Sequence, residues 1–166
     1  MDEVILDKIL YLHPEDSKTN VCIPFSLEKR CLSLEFFCSY EPKKCDDRER
    51  AKQQILAALE SYVPAEYRDR NNWPESCPPM ESFLPSVVSL ITLSVDAPAG
   101  KLQEYLGCAH RHANEQRLVI SAGFSSPGFF RRSPEAGDWR AVINVHAVVS
   151  REVKYRLVII AHNGDS

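Results

Sequence analysis

Apolar and polar residues alternate along much of this chain, and a period of two predicts β-strands. The alternation is clearest over residues 139–149, where Trp139, Ile143 and Val145 fall on one parity. Shorter stretches of the same kind lie at residues 20–27, 31–40, 87–95, 102–106, 116–122 and 154–161. Residues 4–12 fit either an edge strand or a short helix, because so few residues cannot define a period. The pattern therefore predicts about seven strands.

One segment has a different period. Within residues 48–62, apolar side chains recur every four positions from Ala51 to Leu59, and Asp47 stands just before the segment. This arrangement predicts an amphipathic helix with an acidic N-cap. Residues 63–80 contain four prolines and no period, which predicts a long irregular connection to the next strand.

Together these elements predict a mainly β protein, a two-layer antiparallel β-sandwich (jelly-roll-like) with one inserted α-helix and a long Pro-rich loop. We expect a single domain over residues 1–166, with residues 46–83 as a helix-plus-loop insertion within it. Pro24 predicts either a strand at a sheet edge or a strand end, because proline has no amide to donate to a second neighbour.

The composition narrows the function classes. The chain has 166 residues, of which 44% are hydrophobic and 26% are charged, as in ordinary folded domains. Twenty Lys and Arg against 23 Asp and Glu give a net charge of -3, so no general attraction to nucleic acid or an anionic membrane is expected. The apolar runs are only as long as strands, and the start of the chain lacks the pattern of a secretory signal. We therefore expect a soluble, cytoplasmic protein.

Six cysteines are present, without a Cys-x-x-Cys pair or zinc-finger spacing. In a protein expected to be cytoplasmic, they are interpreted as reduced thiols that pack as small apolar side chains. A disulfide between Cys45 and Cys77, closing the middle segment, is the alternative.

Five landmarks of the second half follow one another in a recognisable order. They are LSVDAPAG at residues 93–100, YLGCAHRHANEQRLVIS at 105–121, SSPGFF at 125–130, AGDWRAVINVHAVVS at 136–150 and YRLVII at 155–160. This order resembles the N-terminal β-sandwich domain of CehA/McbA-type metallohydrolases, in the polymerase-and-histidinol-phosphatase superfamily. The resemblance covers roughly residues 21–160 and also extends to jelly-roll modules attached to secreted peptidases and carbohydrate-active enzymes.

The resemblance implies an accessory domain rather than an enzyme. In those hydrolases the chemistry is carried by a separate domain, whose metal ligands begin with a His-x-His motif in a Ser-Asp-Gly context. Here His110 and His112 are followed by Ala113 and lie within the sandwich portion, so no catalytic residue is carried over. We predict a non-catalytic module for binding or assembly that needs no cofactor.

A metal-binding alternative rests on the segment around Arg111. If this segment is extended, Cys108, His110 and His112 point to one face, and a thiolate with two imidazoles is a ligand set for zinc. His146 is the candidate fourth ligand. This alternative makes the chain a metal-binding protein or a small metal-dependent hydrolase.

The same segment supports ligand recognition. Arginine and asparagine supply directional donors, and tyrosine and histidine supply stacking faces. The predicted ligand-binding residues are Tyr105, His110, Arg111, His112 and Asn114. The alternative is a polar loop in which these side chains only bond to the backbone.

The partner of such a module stays open as a protein, a small molecule or a carbohydrate. Trp139 would be a sugar-stacking platform in a carbohydrate-binding module, although its parity favours the core. Phe129 and Phe130 form a partner patch if both are exposed, whereas a strand places one ring inside. A homodimer is also predicted as an option, because a sandwich has edge strands.

Overall fold

The computed structural model describes residues 2–64, 79–109 and 113–164. Short 3₁₀ helices lie at Pro14–Asp16 and Met80–Ser86. The main elements of the described residues are eight strands and one α-helix: β1 (Asp2–Leu12), β2 (Thr19–Leu27), β3 (Ser33–Glu41), α1 (Arg48–Tyr62), β4 (Leu90–Ala99), β5 (Leu102–Cys108), β6 (Glu115–Ser121), β7 (Gly137–Ala147) and β8 (Val153–His162).

The strands form two antiparallel sheets of four strands each. The first sheet has the order β1-β8-β3-β6, and the second has the order β2-β7-β4-β5. The pairing is nested, since β1 pairs with β8, β2 with β7, β3 with β6 and β4 with β5. This arrangement confirms the predicted two-layer antiparallel β-sandwich.

The core lies between the inner faces of the two sheets. Phe25 of the second sheet contacts Phe36 of the first edge to face, with ring centroids 6.1 Å apart. Phe25 also stacks on Trp139, which is 1% exposed. Burying each of these rings contributes about 3–5 kcal/mol, as judged from the usual cost of truncation to alanine. The prediction that Trp139 belongs to the core is confirmed.

The first predicted segment is a strand, β1, at the edge of the first sheet. Its register with β8 shifts between Val4 and Leu6, so Ile5 forms a bulge that changes which parity faces the core. After the bulge, Lys8 pairs with the core residue Leu157 and Ile9 is 46% exposed. A polar residue on the core side and an apolar residue on the solvent side break the alternation of a strand. This is why the sequence pattern did not decide between strand and helix.

Strand β4 continues beyond its predicted end at Val95. The sequence pattern predicts a turn from Asp96 to Gly100, whereas the strand extends to Ala99. The pairing of β4 with β7 stops at Asp96, and beyond this residue β5 is the only neighbour of β4 among the described strands. A proline such as Pro98 is tolerated where a strand has a single neighbour. The turn itself is reduced to Gly100 and Lys101.

The helix α1 has the bounds that its pattern predicts. The Asp47 side chain caps it by accepting a hydrogen bond of 3.1 Å from the Arg50 backbone amide. The Arg50 guanidinium in turn donates to the Val149 carbonyl at 2.8 Å, and Ala51 is buried. The first turn of α1 is therefore fastened to the end of the sandwich. The predicted Pro-rich loop lies mostly outside the described residues.

The described cysteines are free thiols: Cys22, Cys31, Cys38, Cys45 and Cys108. Cys45 donates to the carbonyl oxygens of Asp47 and Val149 at 3.4 and 3.5 Å, and Cys77, its predicted partner in a disulfide, lies outside the described residues. Among the helices of the described residues, none is long and apolar enough to cross a membrane.

Candidate functional site

The outer face of the second sheet carries a connected group of hydrogen-bonding side chains, which we call the polar face. Its members are Thr92 and Ser94 of β4, Cys108 of β5, and Asn144 and His146 of β7. Cross-strand register places Thr92 opposite Asn144, and Ser94 opposite Cys108. Thr92 and Ser94 are only 7% and 6% exposed, so they form the floor of this face.

The Thr92 hydroxyl is the centre of the polar face. The Cys108 thiol donates to its Oγ1 at 3.4 Å, and the His146 Nε2 lies 3.0 Å from the same oxygen. The Asn144 amide donates to the Ser94 hydroxyl at 3.2 Å and approaches the Cys108 sulfur at 3.7 Å. These five side chains therefore form one network.

A charged pair and an aromatic ring border the network. Arg140 donates to the Asp96 carboxylate from Nε at 2.8 Å, and its Nη2 lies 2.6 Å from the same oxygen. The bond to Asp96 raises the pKa of Arg140. Tyr105 pairs across the strands with Asp96 and is 57% exposed. Partial burial is the main cause that raises the pKa of the Tyr105 phenol, and the nearby Cys108 and Asp96 add to it. This ring therefore presents a neutral hydroxyl at physiological pH.

Two of the four predicted metal ligands come together here. Cys108 and His146 both bond to Thr92, while His110 and His112 lie outside the described residues. In the part of the chain that the structure describes, no group of three or more His, Cys, Asp and Glu side chains is placed to hold a metal ion.

The predicted ligand-binding residues divide between the two sheets. Tyr105 borders the polar face, whereas Asn114 lies beside β3 of the first sheet. The Asn114 side chain donates to the Tyr40 carbonyl at 3.1 Å, and its own carbonyl accepts from the Tyr40 amide at 2.8 Å. Asn114 therefore fastens the start of β6 to the end of β3. His110, Arg111 and His112 fall outside the described residues.

The sequence prediction missed Thr92, Ser94 and Asn144. In β4, Thr92 and Ser94 alternate with the buried Ile91 and Leu93, so the polar parity of an otherwise apolar strand was visible in the sequence. What the sequence could not show is that β7 lies beside β4 and brings Asn144 to this parity.

The Pro-Gly turn presents one aromatic ring. Phe129 is 9% exposed and packs in the core, whereas Phe130 is 70% exposed. Of the basic residues that follow, Arg132 lies 3.1 Å from the Glu104 carboxylate. Of the two predicted alternatives, the structure therefore shows the one in which Phe129 lies inside and Phe130 outside.

Comparison with known proteins gives no relative. No protein-family model matches the chain, and no curated protein or solved structure does so either.

Proposed function

We propose that this chain is a non-catalytic β-sandwich module that binds a ligand on the polar face of its second sheet. The observation that carries the proposal is the network around Thr92. Thr92, Ser94, Asn144 and His146 offer both donors and acceptors on a floor of short side chains, and Tyr105 stands exposed at its border. Directional polar groups next to an exposed ring are the usual elements of a small-molecule site.

The chemistry of the polar face favours an uncharged, polyhydroxylated ligand such as a carbohydrate. Its floor consists of hydroxyl, amide and imidazole groups, and the neighbouring charges of Asp96 and Arg140 already neutralise each other. A sugar offers hydroxyls to such a floor and an apolar ring face to an aromatic side chain. Trp139 is buried, so the stacking side chain in this proposal is Tyr105.

A glycan array of neutral and charged oligosaccharides tests this proposal, with calorimetric titration of each hit. We expect Tyr105→Ala to weaken binding at least about tenfold, or roughly 1.4 kcal/mol. Tyr11→Ala is the matched control, because Tyr11 is 56% exposed and Tyr105 is 57% exposed, on opposite sheets. A lack of neutral glycan hits, or equal loss in both variants, would contradict the proposal.

The proposed family is the N-terminal β-sandwich domain of CehA/McbA-type metallohydrolases. The nested strand order is that of a jelly roll, which supports this finer description of the fold. We also propose a cytoplasmic location, which the five free thiols support because reduced cysteines are typical of that compartment. In the proposed role, the His146 ring and the Cys108 thiol take part in binding and not in catalysis.

A zinc site is the second candidate function. Its support is that Cys108 and His146, a thiol and an imidazole, bond to the same Thr92 hydroxyl. Elemental analysis of purified protein tests for bound zinc, and titration with Co²⁺ reports thiolate ligation through its charge-transfer absorption. We expect this absorption to be lost in Cys108→Ser and kept in Cys22→Ser. Absence of the band in the unaltered chain would exclude the site.

A further inference from the structure

Apolar side chains cluster at the centre of the outer face of the first sheet, among charged ones. Phe37, Val158 and Ile160 lie side by side on β3 and β8 and line an open depression of about 570 Å³. Towards the edge, Val4 is 62% exposed and Ile9 is 46% exposed. A sheet face that meets only water is normally polar, and a continuous apolar patch marks an interaction surface.

Several charges on this face already have partners. The Arg117 Nη2 donates to Glu35 at 2.9 Å, and the His162 Nε2 lies 3.1 Å from the same carboxylate. The His162 Nδ1 lies 3.0 Å from Asp2, so one chain of polar contacts crosses all four strands. Because these charged groups bond to one another, they keep their partners when water is displaced. Covering the face therefore costs less desolvation free energy.

We infer that this face binds the same face of a second copy of the chain. Across the four strands, one register row reads Asp7, Val158, Phe37 and Arg117, which is acidic, apolar, apolar and basic. A two-fold axis parallel to the strands, between β8 and β3, reverses this row in the second copy. Asp7 then faces Arg117 of the second copy, and Val158 faces Phe37.

The neighbouring rows add an apolar contact and a contact between opposite charges. One row from the centre, Val4 faces Val119 of the second copy, and at the far end Lys154 faces Glu41. Ile160 faces Glu35, whose carboxylate already has two partners of its own. No two like charges face each other in these rows. An isologous interface requires such a pattern, because every contact between two residues occurs twice, once on each side of the two-fold axis.

The face is also large enough for a stable dimer. Four strands about 4.8 Å apart and about nine residues long at roughly 3.3 Å each give a projected area of roughly 570 Å². Two such faces bury more than about 1,000 Å², the lower limit of specific interfaces. Packed sheets cross at about 30°, so the central rows of Val158 and Ile160 match best.

Two of the four edge strands, β1 and β2, are less suited to this role. Lys8 on β1 points towards the core side and follows the bulge at Ile5, and Pro24 interrupts the donors of β2. Inward charges, bulges and prolines are features that keep edge strands from pairing with further chains. Pairing of a second copy along β1 or β2 is therefore disfavoured, and the homodimer is assigned to the face.

Sedimentation equilibrium of the full chain tests this inference. We expect a dimer, and we expect Val158→Lys to raise the dissociation constant of the dimer at least tenfold. Tyr105→Lys, on the outer face of the other sheet, should leave it unchanged. A chain that is monomeric at about 0.5 mM, or a dimer equally affected by both variants, would overturn the inference.

A second pair of variants tests the arrangement without reliance on Val158. Ile9 is 46% exposed and would face Glu115 of the second copy, so neither Glu nor Lys at this position disturbs the core. Ile9→Glu should weaken the dimer more than Ile9→Lys does. Equal dissociation constants for these two variants would refute the proposed axis.

Discussion

The indole of Trp139 donates a hydrogen bond of 3.0 Å from Nε1 to the carbonyl oxygen of Glu135. This bond satisfies the one polar group of a ring that is 1% exposed. Trp139→Ala should therefore lower the free energy of unfolding by about 3–5 kcal/mol. Trp139→Phe keeps an aromatic ring and should cost about 1–3 kcal/mol.

Urea unfolding followed by circular dichroism measures both values. Phe130→Ala is the control, since the Phe130 ring is 70% exposed and its loss should change stability by less than about 0.5 kcal/mol. A Trp139→Ala variant as stable as Phe130→Ala would contradict the core position.

The elements with uninterrupted patterns could be predicted from the sequence. In strand β7 every second residue from Trp139 to Val145 is apolar and buried, and α1 has both a clear period and an acidic cap at Asp47. Strand β1 was ambiguous because the bulge at Ile5 reverses the parity midway. The pattern predicts that β7 runs to residue 149, whereas the strand ends at Ala147. Val148 and Val149 are buried like strand residues, but their amides donate to the hydroxyls of Ser17 and Ser89 and not to a neighbouring strand.

The site could be predicted only in part. Cys108 and His146 were paired from their chemistry, and the structure brings both to Thr92. Asn114 lies only nine residues from Tyr105 in the sequence, yet the two belong to different sheets, because the chain crosses from β5 to β6 between them. Proximity along the chain is a weak guide in a fold whose neighbouring strands are distant in sequence.

Gly107 should be intolerant of any side chain. Its φ is +134°, and an added Cβ would lie 2.0 Å from the Gly128 carbonyl oxygen. Gly107→Ala therefore has to move the segment that bridges to β5 at Phe129, and we expect a loss of about 2–4 kcal/mol. Gly123→Ala is the control, since nothing lies within 4 Å of its added Cβ.

Thermal denaturation of the two glycine variants measures the difference. Gly123→Ala should melt within about 2 °C of the unaltered chain, and Gly107→Ala should melt roughly 4–16 °C lower. Similar melting temperatures would mean that the segment around Gly128 moves aside without cost. The prediction for Gly107 would then be wrong.

The thiols should differ strongly in reactivity. Cys22 is exposed on the edge strand β2, whereas Cys38 is 7% exposed and burial raises its pKa to about 11. Only the thiolate reacts with a disulfide reagent, so Cys38 should be inert at pH 8 in the folded protein. In a titration with an aromatic disulfide, Cys22→Ser should remove one fast equivalent and Cys38→Ser none. Loss of a fast equivalent in Cys38→Ser would show that the core opens at Cys38.

Glu35 should make the stability depend on acid pH. The hydrogen bond from Arg117 lowers the pKa of Glu35 below its ordinary value of 4.5, against the opposing effect of burial, and the contact with His162 acts in the same direction as Arg117. A carboxyl whose pKa is lower in the folded state contributes stability above its unfolded pKa and loses it as the pH falls through the folded pKa. Glu35→Gln should therefore cost about 1–3 kcal/mol at pH 7.

The cost of Glu35→Gln should shrink as the pH falls below 4.5, because the carboxyl of the unaltered chain then becomes protonated as well. Glu104→Gln is the control: Glu104 lies 3.1 Å from Arg132 and its side chain is 51% exposed, where water screens the charges, so its effect should be smaller throughout. Urea unfolding at pH 7, 5, 4 and 3 gives both curves. A cost for Glu35→Gln that stays constant over this range would mean that the Glu35 charge adds nothing to stability and that only the shape of the side chain matters.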